Sequence, residues 1–222
     1  MTKPRGPYAK TSSKRQQIIE AALAAYAEAG SRKVSVRDIA QRVGMTDAGV
    51  LHHFGGREAL FTAVLAARDA ASEERFGAFE ERGADDFLRI LADNAATPGL
   101  VKLFVDLAAA AAEPDHPAHD YFGRRYEGLR RRLADRLVEQ AATRPDTTRP
   151  DTTRPDTAGP DTARPDAERA DEAAWAARIL IAATDGLQLQ WLLDPRIDMA
   201  DDIGRLARVL LDAPAERQRP VS

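Results

Sequence analysis

The stretch from Ser35 to Gly56 leaves a folding chain little choice. Ser35 precedes a run with helical apolar spacing, and Asp38, three residues on, can reach back to it in a capping box that also complements the helix dipole. Val36, Ile39, Ala40 and Val43 then share one face. Gly44-Met45 leaves room only for a tight corner, Thr46 is a second N-cap, and the helix it opens runs through His53 until Gly55-Gly56 stops it. Upstream, a helix from Ser12 or Ser13 sets Ile19, Leu23 and Tyr26 at helical spacing and ends at Gly30, after a flexible basic arm of residues 1–11. Downstream, a longer helix from Arg57 carries Leu60, Phe61, Val64 and Leu65 on one face and continues, bent near Gly77, to about Gly83.

Ala, Leu, Arg and Glu dominate the remainder and no β-branched run of strand length occurs, so the expected fold class is all-α. Body helices are predicted at 85–96, 99–112 and 117–142, broken by Pro98-Gly99 and by the two prolines of residues 113–117. Residues 144–165 then repeat Arg-Pro-Asp-Thr-Thr with variation every five residues, too short and polar a period for a solenoid. A disordered linker is expected there, with a reach of roughly 25 Å. Such a loop can lengthen at a cost of only about 0.6 kcal/mol per doubling. Two helices, 166–193 and 199–213, close the body before a tail at 214–222. The resulting division is a head at 12–56 and a body made of 57–143 and 166–213.

Charge follows the same division. Net charge is −3, yet residues 1–60 hold ten Lys/Arg against five acids, +5, which leaves −8 for the rest. A basic head on an acidic body confines phosphate contact to the head, although a solvated basic face would read the same way. Cysteine is absent, which excludes disulfides, thiolate metal sites and thiol nucleophiles. No apolar run spans a bilayer and no signal peptide is visible, so the expected location is cytoplasmic, with no membrane partner.

A short capped helix after a tight turn is what a helix-turn-helix needs, because the second helix must fit the major groove while the first crosses the backbone. Ser35 and Thr46, at helix starts, would offer hydroxyl and amide groups to phosphates. Asp47, Ala48, Leu51 and His52 are candidates for the groove side, with Val50 and Phe54 packed inward. The run from Val36 to Phe54, VRDIAQRVGMTDAGVLHHF, followed by Gly55-Gly56-Arg57-Glu58-Ala59-Leu60-Phe61, closely resembles the TetR family of repressors. The resemblance is strong over residues 12–65 and extends beyond them only as helical architecture, including Asp185-Gly186-Leu187 in a penultimate long helix like those that dimerise in the family. It implies a tetracycline-repressor-like homodimer of nine helices per chain, reading palindromic double-stranded operator DNA and released by a small-molecule effector. The DNA-contacting set it suggests is Ser35, Val36, Arg37, Thr46, Asp47, Ala48, Gly49, Leu51, His52, His53 and Arg57. Two positions depart from the common pattern: Leu51 stands where tyrosine is frequent and Arg57 where lysine is. Arg57 can replace the ammonium contact, whereas Leu51 cannot hydrogen-bond and leaves that contact to His52 or His53, or packs on a thymine methyl. His53 and Gly49 also have plain packing readings.

A ligand in the body would lie between helices with aromatic and aliphatic walls and a few polar groups. Candidate walls are Phe87, Leu103, Phe104, Leu107, Tyr121, Phe122, Tyr126, Trp175 and Ile179; Asp106, Thr184 and Asp185 are candidate polar anchors, with Asp106 equally suited to a solvated face or to a pair with Arg125. The last two helices carry more apolar surface than one partner needs, so a two-fold interface through Asp185, Gly186, Leu187, Leu189, Trp191, Leu206 and Leu210 is expected, against a monomeric bundle with a fully buried central helix. The enzyme alternative rests on His116 and His119 beside Asp115 and Asp120, a metal-dependent set lacking a third histidine in the body; a helix start capped by Asp115 or His116, with Pro117 in the first turn, reads the same residues. No cofactor is expected. A helical adaptor without DNA readout would explain the body but not the capped head.

Overall fold

The computed structural model describes residues 7–30, 32–77, 84–143 and 163–212, with side chains described for 11–30, 32–77, 88–141 and 167–210. Among the described residues every regular element is an α-helix: α1 (Pro7–Ala29), α2 (Val36–Arg42), α3 (Asp47–Phe54), α4 (Arg57–Phe76), α5 (Ala84–Ala95), α6 (Pro98–Ala110), α7 (His119–Thr143), α8 (Ala163–Leu193) and α9 (Met199–Asp212).

The turn chemistry of the head is as the sequence predicts. Ser35 Oγ accepts the Asp38 amide while the Asp38 carboxylate accepts the Ser35 amide at 2.8 Å, closing the capping box. At the other end of α2, Met45 donates to the Ala40 carbonyl at 2.9 Å and Gly44 to Gln41, a Schellman closure that needs the left-handed backbone of Gly44 (φ +65°). Thr46 then caps α3 through Gly49, and Gly55 (φ +81°) ends it. Ile18, Ala22, Val34, Ile39, Val50, Phe54 and Leu60 bury against one another inside the head, and the same cluster runs on through Phe61, Val64 and Leu65 to Leu100, Phe104, Leu107 and Phe122 of the body. Head and body therefore share one apolar core.

Three boundaries differ from expectation. Helix α1 starts at Pro7, ahead of Ser12, because proline in a first helical turn lacks only an amide that would be unpaired there. Helix α4 stops at Phe76, where Gly77 takes φ +78°; the expected continuation past residue 77 fails at that reversal, and residues 78–83 lie outside the description. Helix α8 starts at Ala163, so the last repeat unit, with Pro165 in the first turn, is helical rather than linker. Residues 1–6 of the expected arm, 144–162 of the expected linker and the tail at 214–222 also lie outside the described residues. The break before α7 is a pair of turns, in which His116 Nδ1 accepts the Ala118 amide at 3.2 Å, so Pro117 precedes α7 instead of opening it.

In the body α7 packs along α8, α8 on α9 and α6, and α5 on α9 and α6. A second core joins Leu91, Leu137, Ala177, Leu180 and Ile203, and a third joins Val101, Trp191 and Met199.

Candidate functional site

On α3 the buried side chains are Val50 and Phe54, so Asp47, Ala48 and His52 emerge on the opposite, exposed face. Leu51 and His53 are half-buried, and Leu51 and Val36 pack against the head core, which corrects the expectation of a free groove-facing Leu51. Gly49 keeps α3 closed on its cap: its amide donates to Thr46 Oγ1 at 3.1 Å, and a Cβ there would lie 3.1 Å from that oxygen. The two capping hydroxyls differ. Ser35 Oγ both accepts from the Asp38 amide and donates to the Asp38 carboxylate at 2.7 Å, so its capacity is committed. Thr46 Oγ1 only accepts, which leaves its proton for an outside acceptor among the described residues. Arg32, Lys33, Arg37 and Arg57 are exposed around these helix starts, and the Arg57 guanidinium lies 5.0 Å from the Phe61 ring centre.

No local pattern marks the clamp that fixes the far end of α3. Arg15 of α1 donates to the His53 carbonyl, and its guanidinium stacks 4.3 Å above the Phe54 ring. Helix α1 thus sets the tilt of α3. A second tie, Arg42 to Glu28 at 3.1 Å, joins α2 to α1 on the surface.

Two cavities border the body. A smaller cleft of about 260 Å³ lies between head and body and is lined by Tyr26, Arg32, Arg57, Leu103, Leu107 and others. Burial raises the Tyr26 phenol to about 12, against the opposing charge of Arg57. A larger cavity of about 600 Å³ opens between α4, α5, α6, α7 and α8, with Leu100, Leu129, Leu133 and Ile181 on its apolar side and five arginines and four carboxylates among its lining residues. Asp69 of α4 is among its lining residues. Its carboxylate accepts the Tyr121 hydroxyl at 2.6 Å and Arg68 at 3.1 Å, with Arg125 approaching to 3.4 Å. Burial pushes this carboxyl upward, but Arg125, Arg68 and the Tyr121 hydrogen bond outweigh it and hold it below the usual range. Alongside, Tyr126 donates to Asp185 at 2.6 Å, and burial raises the Asp185 carboxyl more than Tyr126 and Arg125 lower it. Burial likewise raises both phenols.

Of the expected pocket residues, Tyr121 and Thr184 line the larger cavity, as does Asp185, while Tyr126 adjoins it through Asp185. Phe104 and Phe122 are core residues, and Leu103 and Leu107 border the smaller cleft. Asp106 lines the smaller cleft too, but from an exposed position where it pairs with Lys102 at 2.9 Å, and Arg125 faces Asp69 instead. Trp175 and Ile179, expected as walls, line neither cavity and are exposed at 38% and 36%. The side chain of Phe87 lies outside the described residues. Helical spacing on α7 could have flagged Tyr121 and Arg125, four apart; nothing local could have flagged Asp69.

The dimer expectation needs a similar correction. Trp191 is buried against Val101, Leu187 packs against the second and third cores, and Leu206 and Leu210 against the second, all within the protomer. The exposed seam of α8 is instead Trp175, Ile179, Ala182, Gly186, Leu189 and Leu193, alternating steps of four and three with only Gly186 half-buried, and Val209 of α9 is exposed too. Trp175 and Ile179, expected as pocket walls, lie on this exposed face together with Gly186 and Leu189. His116 and His119 each direct a ring nitrogen to the backbone, His119 to the Ala111 carbonyl at 2.9 Å, and among the described residues no cluster of three metal-ligating side chains occurs. No helix among them is long and apolar enough to cross a membrane.

Residues 18–64 match the family model described as bacterial regulatory proteins, tetR family. Over those residues the chain is similar to that family. An HTH-type transcriptional repressor of Mycobacterium tuberculosis is 34% identical over 87 residues, 39% of this chain and 43% of that protein. The HTH-type transcriptional repressor AcnR of Corynebacterium diphtheriae is 32% identical over 117 residues, 52% of this chain and 48% of that protein. The matches thus span just under half the length of these curated relatives. A TetR transcriptional regulator from Rhodococcus sp. RHA1 has the same fold, with a TM-score of 0.53 at 18% identity, over 90% of this chain and 97% of that one. The family-model match thus falls on the head and the start of α4, while the likeness of fold extends over 90% of the chain.

Proposed function

We propose that this chain is a sequence-specific DNA-binding transcriptional regulator, a homodimeric repressor of a palindromic operator that a small molecule in the body relieves. One observation carries the reading. Helix α3, eight residues long and capped at Thr46, exposes Asp47, Ala48 and His52 over a buried Val50 and Phe54, and exposed arginines and a lysine flank it. A helix so held can enter a major groove while the Thr46 hydroxyl and the cationic side chains meet phosphates. Dimerisation is supported by the apolar seam of α8, whose 4-3 spacing suits packing against a second copy of itself. Two recognition helices related by a two-fold axis would read inverted half-sites. Effector binding is supported by the larger cavity, which lies against α4, the helix that leaves the head.

The test is mobility shift with DNA upstream of the chain's own gene and of its neighbours, titrated with salt. Retarded bands that weaken steeply as salt rises, and that His52→Ala together with Thr46→Ala abolishes in a folded protein, are the expected result. A dimer indifferent to all fragments at low salt would sink the reading.

A further inference from the structure

Three of the four carboxylates lining the larger cavity have partners of their own: Asp93 holds Arg75 at 2.5 Å, Asp69 holds Arg68 and Tyr121, and Asp185 holds Tyr126. Arg125 is served less well. Its closest approach to Asp69, 3.4 Å, forms no hydrogen bond among the described residues, and its buried Nε has no partner there. The guanidinium stands 5.2 Å from the Phe104 ring centre, within a lining where arginines outnumber carboxylates five to four. A mostly buried guanidinium with spare donors matches a carboxylate, whose two oxygens fit its planar fork. A cation would meet the arginine excess and would have to displace Asp69 from its existing partners. The leucine and isoleucine side of the same cavity asks for an apolar body on the ligand.

We infer that the larger cavity takes an amphipathic organic anion, an apolar body ending in a carboxylate that sits on Arg125 in competition with Asp69. This rests on the effector reading of the body, and it supplies that reading with a lever. Asp69 belongs to α4 and Arg125 to α7, so a ligand that draws Arg125 away loosens the tie between α7 and the helix that leaves the head.

The experiment is calorimetric titration of the full chain, without DNA, with octanoate, 2-naphthoate and the neutral octan-1-ol. Octanoate should bind about tenfold tighter than octan-1-ol, the scale of a charge-assisted contact. Arg125→Gln should erase that preference. Asp69→Asn removes the competitor and should tighten octanoate binding, whereas a merely structural role for Asp69 would weaken it. Equal affinity for octanoate and octan-1-ol, no binding of either acid, or weaker octanoate binding in Asp69→Asn would each overturn the inference. Because binding is read without DNA, octanoate that binds as expected yet leaves operator complexes intact would sink the effector reading and leave the anion site standing.

Discussion

The head and the body are built by different rules. In the head, each cap and turn closes within five residues: Ser35 with Asp38, Met45 with Ala40, Gly49 with Thr46. In the body, the contacts that shape the cavity join residues 52 and 59 positions apart, Tyr121 with Asp69 and Tyr126 with Asp185. Local closure depends on residue type and spacing, which a sequence displays; remote closure depends on how whole helices cross, which it does not. A surface assembled by the first rule is set by its own segment, and one assembled by the second can be altered by anything that shifts a helix.

Substitutions can push on this contrast, starting with the largest effect. Ile39→Ala, at a fully buried position of the head core, should cost about 3 kcal/mol in urea unfolding. The same experiment asks whether the head melts alone; a single transition followed equally by both tryptophans, which lie in the body, and by helical content would show that the shared core makes one cooperative unit. Asp69→Asn should cost about 2 kcal/mol at pH 7, the loss of a partly buried charged hub. The Asp69 carboxyl is depressed in the folded chain, so its contribution is present above the unfolded value of 3.8 and is lost as pH falls through the lower folded value. The urea midpoint of the variant should therefore fall less steeply than that of the parent as pH drops below about 5. Parallel pH profiles would show that Asp69 titrates alike in the folded and the unfolded chain.

Gly99→Ala tests the seam between the two regions. A Cβ there would lie 2.9 Å from the Gly30 carbonyl oxygen and 3.2 Å from Tyr26, so α6 must shift off the end of α1, at about 1.5 kcal/mol. Unchanged stability and unchanged DNA affinity would mean that the shift is absorbed without reaching the head. Thr46→Ala removes a cap and should cost about 1 kcal/mol, while its effect on DNA binding should exceed that of Ser35→Ala, because only the Thr46 hydroxyl retains a proton to donate. Equal effects would erase the distinction drawn between the two hydroxyls.

The contrast also explains what could be read beforehand. Both caps of the head, the corner at Gly44-Met45 and the inward pair Val50 and Phe54 follow from spacing alone, and the family resemblance falls on those same residues. Leu51 was misjudged because a half-buried flank and an exposed face lie one helical step apart on so short a helix. In α8 nearly every face carries apolar residues, so periodicity could not tell the wall facing the protomer from the wall facing outward; Trp175 and Trp191 exchanged their expected places for that reason. Arg15 and Asp69 were invisible because their partners sit 38 and more residues away.

The closeness of Gly99 to the Gly30 carbonyl bears on how chains of this fold can be recombined. A chimaera spliced at Gly55-Gly56, joining this head to another body, would inherit whatever residue the donor carries opposite the Gly30 carbonyl, and any side chain larger than hydrogen there would push the graft's α6 off the end of α1. Swappable specificity in a chain of this kind therefore has a hidden compatibility requirement some forty-five residues beyond the helix it transplants, and lineages that exchange heads freely should hold glycine at that spot.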